Sequence, residues 1–333
     1  MKIILGLMLS ILWVSMLTAQ VAEIKDQEIS SEVKGGMVNG SYTRGDKFGR
    51  GKDFKHRVVL LISGSGATDR DGNSLPLMKN NSLKYLAHAI TRSGISTLRV
   101  DKRGVAASKN AGLKEDDLRF QTYVDDITSW IELLMRWGFK EVILVGHSEG
   151  ALVATLAAKH PSVISMVSLA GAGRPASVIL KEQLKKNTPE NVSLLADGII
   201  DQLVKGKKVE DVPVMLQSLF RLSVQPYLIS WFQLDPAKEI AKLDIPVLII
   251  QGSTDIQISE QDAKLLHQSA KNSKLHIIKG MNHVLKKADG GRLKQQRSYL
   301  SPDLPLIKGL VELVISLPTV QYKAPEIEFR KKR

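Results

Sequence analysis

A chain of 333 residues with 43% hydrophobic and 24% charged side chains holds enough apolar material for a large packed core and is too hydrophobic to be disordered throughout. The absence of cysteine excludes disulfides, a thiol nucleophile, thiolate metal sites and a lipid-modified cysteine, so any nucleophile must be an oxygen or a nitrogen. The formal net charge is +13, but the lysines are dispersed and no basic stripe is interleaved with aromatics, so the charge reads as solvated surface and nucleic acid is not an expected partner.

In chain order, Lys2 is followed by an apolar run over 3–17, interrupted in polarity only by Ser10 and Ser15, and then by Thr18-Ala19-Gln20. A short basic region, an apolar region and a small-residue exit predict a secretory signal peptide over 1–20, and with it an exported protein, periplasmic or extracellular. The run is shorter than the ~20 residues a membrane span requires, and no later stretch could replace it, so no stable span is expected once the signal is removed. Residues 21–57 read as an N-terminal extension, with weak strand patterns at 29–33 and 37–42 forming a hairpin, then a loop through Gly45, Gly49 and Gly51.

From residue 58 the rhythm becomes regular. Short apolar runs at 58–62, 96–100, 142–145, 165–169, 245–250 and 275–278 alternate with helical patterns at 83–92, 120–137, 149–159, 260–270 and 304–317. Continuous Val- and Ile-rich runs suit strands covered on both faces, and parallel neighbours need a crossover long enough to hold a helix. The expected fold class is therefore α/β, a mostly parallel central sheet with helices on both faces, occupying 58–333. Residues 174–240 break the alternation, with helical patterns at 178–186, 193–204 and 214–222 and no strong strand, and read as an inserted helical cap over the carboxyl edge of the sheet. Arg330, Lys331, Lys332 and Arg333 form a basic tail.

The run at 142–145 breaks at Gly146-His147-Ser148-Glu149-Gly150 and a helical pattern starts at once. Gly-x-Ser-x-Gly is a weak pattern by itself; between a strand and a helix it describes a strained elbow, whose glycines permit close backbone approach and whose serine sits at a helix N-terminus. A serine hydroxyl is a poor nucleophile at neutral pH, so it needs a base within reach and a group that orients the base. Of the later histidines, His267 falls in a helical pattern and His276 in a strand, whereas His283 lies just past a strand end. His56, His88, His147 and His160 are read as surface or packing residues. Asp255 follows the 245–250 strand; Asp244 precedes it at the wrong edge, and Asp262 lies in the next helix. An oxyanion hole would take the N–H of Glu149 and one from Ser63-Gly64-Ser65-Gly66, with Ser65 first and Gly66 the alternate. That glycine-rich turn lacks the Lys-Ser/Thr and the Gly-x-Gly-x-x-Gly of phosphate loops.

Taken together, GSGATDRDGN at 64–73, RVDKRGVAAS at 99–108, GHSEG at 146–150, DPAKEIAKLDIPVLIIQGSTDIQI at 235–258 and GMNH at 280–283 resemble the bacterial esterase and acyl-peptidase branch of the α/β-hydrolases. The resemblance implies Ser148 as nucleophile, Asp255 as acid, His283 as base, and Ser65 with Glu149 as oxyanion donors. One departure is Ser63, which stands where such enzymes usually carry the His of a His-Gly turn. Asp69, Arg70, Asp71, Asp101 and Arg103 are expected to brace the loops. The function expected is cleavage of a carboxylic ester through an acyl-enzyme, with a small ester or acylated peptide as the partner and Tyr227, Trp231 and Phe232 as candidate cap linings. A peptidase or amidase of the acylaminoacyl-peptidase type uses the same residues, and a non-catalytic binding protein on this scaffold is the rival from another class. No cofactor is required, and no metal-ligand spacing such as His-Glu-x-x-His is present.

Overall fold

Strands β1 (Asp26–Val33) and β2 (Gly36–Thr43) pair antiparallel as a hairpin that turns at Gly35, where φ is 88°. The computed structural model describes residues 23–316 apart from 47, 49–53 and 77. The signal segment read at 1–20, Gly49 and Gly51 of the early loop, and the basic tail lie outside the described residues. After the hairpin come β3 (Arg57–Ile62), α1 (Ser82–Arg92), β4 (Ser96–Val100), α2 (Phe120–Arg136), β5 (Glu141–His147), α3 (Glu149–Ala157) and β6 (Val163–Leu169). Five helices then follow without a strand: α4 (Ala176–Asn187), α5 (Glu190–Val204), α6 (Gln217–Phe220), α7 (Gln225–Phe232) and α8 (Pro236–Ile240). The chain returns to the sheet as β7 (Val247–Gly252), α9 (Glu260–Ser269) and β8 (Ser273–Ile278), and continues into α10 (Arg292–Tyr299) and α11 (Leu310–Ile315).

The eight strands form one sheet in the order β1-β2-β4-β3-β5-β6-β7-β8, parallel from β4 through β8, with the hairpin joined antiparallel through β2 and β4. Alternation along each inner strand feeds two cores. In β3, Val58, Leu60 and Ile62 pack on one face, where α2 adds Ile127, Trp130, Ile131 and Leu134 and α3 adds Leu152 and Val153. Val59 and Leu61 point the other way, toward Leu83, Leu86 and Ile90 of α1 and Leu310 and Val314 of α11. The buried positions of α2 recur every three or four residues, as a helix with one covered face requires. Each such side chain, fully buried, contributes about 1.5–3 kcal/mol over its exposed state.

Two helices depart most from the sequence expectation. The helix expected over 304–317 forms only as α11, because Pro305 cannot serve a helix interior and Gly309 sits at φ 89° immediately before it. Its last expected position, 317, lies outside the described residues. Helix α10 was not expected at all: its sequence RLKQQRSY has no apolar period. It is held through polar groups instead, the amide of buried Gln295 donating to the carbonyls of Thr254 (2.7 Å) and Ala288 (3.2 Å). Among the described residues no helix is long and apolar enough to cross a membrane.

Candidate active site

Four loops leave the carboxyl ends of β3, β4, β5 and β7 at one edge of the sheet, where ligands bind in open α/β folds. The loop after β5 is the sharpest. Ser148 has φ 56° and ψ −122°, a conformation few side chains adopt, and it immediately precedes α3. Close packing imposes this corner. A Cβ on Gly146 would lie 2.2 Å from the carbonyl oxygen of Gly150, and one on Gly150 would lie 2.5 Å from the carbonyl oxygens of Ile62 and Ser63. The Ser148 N–H donates to Leu169 O at 2.9 Å, pinning the corner to β6.

Asp255 and His283 meet each other, and His283 lies against His147, the residue before Ser148. His283 Nδ1 donates to Asp255 Oδ2 at 2.8 Å, and the two side chains are 5% and 0% exposed. Asp255 Oδ2 also accepts from Gln251 Nε2 at 3.0 Å, while Oδ1 accepts the N–H groups of Gln257 (2.7 Å) and Ile258 (3.0 Å). Burial pushes the Asp255 carboxyl up, but His283 and these backbone donors outweigh it, and the net shift is downward. The group is therefore an ionised acceptor, which assigns the imidazole proton to Nδ1 and leaves the Nε2 lone pair free.

The loop bearing His283 is fastened on three sides. Thr254 Oγ1 donates to Met281 O (2.9 Å), the Gly280 N–H to Ser253 Oγ (2.9 Å), and Asn282 Nδ2 to Ser298 Oγ on α10 (2.6 Å). His147 provides the link to the nucleophile strand. Its Nε2–H donates to the carbonyl of His283 at 2.8 Å, and the two rings lie 4.9 Å apart between centroids. Among the described residues Ser148 Oγ makes no hydrogen bond to His283; in ligand-free sites such bonds are commonly long and close only around substrate.

Ser148 opens into a cavity of about 360 Å³. Ser65, Gly66 and Glu149 border it on the sheet side, while Leu180, Leu219, Tyr227, Trp231 and Phe232 of the inserted helices form an apolar wall opposite. Among the described residues the N–H groups of Ser65 and Glu149 meet no protein acceptor. The loop carrying Ser65 is closed by Ser63 Oγ donating to Thr68 O (3.1 Å) and Thr68 Oγ1 donating to Ser65 O (2.7 Å). Ser63 thus stiffens the turn from within.

The acidic and basic residues of the neighbouring loops pair with one another. Arg70 joins both oxygens of Asp101, through its N–H at 2.8 Å and its guanidinium at 2.7 Å; Arg99 holds Asp71 at 2.9 Å, and Arg103 pairs with Asp126. Asp69 accepts the N–H groups of Asp71 and Asn73. His276 and His267 lie in β8 and α9. Two contributors had no distinguishing sequence signal: Gln251 looks like the last residue of a strand and His147 like a flank of the motif. Among the described residues no group of three or more His, Asp or Glu side chains is arranged to hold a metal ion.

A family model described as serine aminopeptidase, S33, matches residues 79–287, more than half of the chain and inclusive of Ser148, Asp255 and His283. Esterase EstD of Thermotoga maritima is 24% identical over 247 residues, a match covering 70% of this chain and 55% of EstD, so the chain spans about half the length of that relative. Serine hydrolase BPHL of Homo sapiens is 26% identical over 263 residues, covering 74% of this chain and 79% of BPHL. Among solved structures, Est1E from Butyrivibrio proteoclasticus with ferulic acid bound superposes with a TM-score of 0.54 at 16% identity, covering 77% of this chain and 91% of Est1E, a likeness of fold.

Proposed function

The chain belongs to the serine aminopeptidase S33 family within the α/β-hydrolase superfamily, and from that premise we propose that it hydrolyses carboxylic esters through an acyl-enzyme on Ser148. The observation that carries the reading is the Asp255–His283 pair, closed on the Nδ1 side and open at Nε2, next to a serine forced into a strained corner. His283 Nε2 takes the Ser148 proton as the oxygen adds to the ester carbonyl, and returns it to the departing alcohol oxygen when the C–O bond breaks. Asp255 holds the imidazole and stabilises its cation. The Ser65 and Glu149 N–H groups receive the oxyanion. A water molecule, deprotonated by the same nitrogen, then releases the acid and restores Ser148.

The apolar wall of Leu219, Tyr227, Trp231 and Phe232 supports a substrate whose acyl or alcohol part is hydrophobic. Amide or peptide cleavage is the second reading, favoured by the family's description as aminopeptidases. The apolar leader read at 1–20 supports export to the periplasm or beyond. A fluorophosphonate probe tests the chemistry: labelling of the wild type that disappears in Ser148→Ala is expected. An unlabelled wild type, or labelling that survives the substitution, would overturn the proposal and favour a non-catalytic binding role. A panel of p-nitrophenyl esters against aminoacyl anilides separates the two chemistries, and turnover confined to anilides would make amide cleavage the activity and remove ester hydrolysis.

A further inference from the structure

Lys102, in the turn after β4, is a buried lysine at the edge of the oxyanion loop, where burial pushes its pKa down and the Glu149 carboxylate acts the other way. Its side chain is 9% exposed, and its ammonium donates to the carbonyl oxygen of Gly64 at 2.5 Å. The same nitrogen lies 3.6 Å from Oε1 of Glu149 and 5.7 Å from the centroid of the Tyr123 ring. An ammonium is a poor filler for such a space. Removing it from water is costly unless its partners restore what hydration supplied, and a methionine would occupy a similar volume without that cost.

Its two partners are the two halves of the oxyanion site. The Gly64 carbonyl and the Ser65 N–H belong to one planar trans peptide, so they point to opposite sides of the chain. A donor that fixes the carbonyl on one side therefore fixes the direction of the N–H on the other, and Ser65 borders the cavity that holds Ser148. A cation on the carbonyl also draws electron density from the amide nitrogen, making its N–H a stronger donor. Glu149 is the residue whose own N–H follows the nucleophile, and its buried Oε1, which accepts no hydrogen bond among the described residues, lies within ion-pair range of the same nitrogen.

We propose that Lys102 is a positioning residue for the oxyanion hole, holding the Gly64–Ser65 peptide directly and the Glu149 corner through its carboxylate, so that one buried side chain sets both donors. This rests on the reading of Ser148 as nucleophile with Ser65 and Glu149 as oxyanion donors.

The test is Lys102→Met, with rates normalised to sites titrated by the fluorophosphonate probe. Removal of a whole oxyanion donor lowers kcat by about 10²–10³, so loss of the clamp is expected to lower it by about 10- to 100-fold with KM nearly unchanged. Affinity for a trifluoromethyl ketone carrying the same acyl group, whose adduct with Ser148 bears an oxyanion, is expected to fall by the same factor. Binding of the carboxylic acid product should not change. A purely structural lysine would lower the melting temperature and the titrated fraction while leaving kcat per titrated site intact. If Lys102→Met does not fold, Lys102→Gln, shorter and uncharged, carries the same readouts. Wild-type protein that the probe does not label would defeat the hydrolase reading itself. Labelled wild type with an unchanged kcat in the variant, or a slower variant with unchanged ketone affinity, would overturn the role of Lys102 alone.

Discussion

Replacing His147 with glutamine should change how the stability of this protein depends on acid. Burial lowers the pKa of the ring from the ordinary 6.5 to about 4, reinforced by the neighbouring His283. In the unfolded chain the imidazole takes a proton below about 6.5, whereas in the fold it stays neutral until about pH 4. The unfolded state thus binds more protons throughout that window, so stability rises with pH across it and is lost as pH falls toward 4. At pH 5, about 1.5 units below the unfolded value and ~1.36 kcal/mol per unit, the loss relative to pH 7 is about 2 kcal/mol. Glutamine keeps an N–H donor for the His283 carbonyl but has nothing to titrate. Urea unfolding followed by circular dichroism at pH 7 and pH 5 should show the wild type losing about 2 kcal/mol more than His147→Gln over this interval. Equal losses in the two proteins would refute the reasoning, because the ring would then titrate alike in the folded and unfolded chains.

Two further outcomes concern the corner and its base. In Asp255→Asn, the side-chain oxygen can still accept from Gln257 and Ile258, but the amide then faces His283 Nδ1 and favours the tautomer with its proton on Nε2. Turnover of p-nitrophenyl esters should fall by up to about 10⁴-fold, the loss seen for the equivalent change in the serine-protease triad, with the melting temperature little altered; a loss below tenfold would remove Asp255 from the mechanism. Gly150→Ala places a methyl 2.5 Å from two β3-end carbonyls and must push α3 away from the sheet. Overpacking of this kind costs about 1–3 kcal/mol, so thermal unfolding should move down and probe labelling of Ser148 should slow. An unperturbed variant would show that the close approach at the elbow is not required.

The sheet was legible because each inner strand is apolar on both faces, and strands such as 58–62 therefore stand out as unbroken runs. Helix α10 was not legible because its anchoring is polar: Gln295 and Ser298 are buried, yet a hydrophobic period cannot register them. The helix at 304–317 was over-read for the converse reason, since apolar residues around Pro305 and Gly309 mimic a helical face that the backbone cannot follow. At the site, the placement of Ser148, Asp255 and His283 just past the ends of β5, β7 and β8 could be read from spacing. Their supporting groups could not. His147 contacts a loop 136 residues away, and Lys102 reaches Gly64 across 38. Such partnerships arise from strand order, which places β4 beside β3 and β5 near the sheet's centre, and local sequence carries no mark of them.

The position of β8 at the far edge of the sheet bears on when this protein can act. The loop that follows it holds His283, and that loop is itself fixed by α10 and by the Leu285 carbonyl accepting the Ile307 N–H at 2.9 Å. A nascent chain with β3 to β6 already formed would present Ser148 on its corner without His283. Reactivity would switch on only when the last strand docks and the segment beyond it closes over the loop. The hydroxyl would therefore stay unreactive until the fold is complete, and its reaction with a probe during refolding would time that completion.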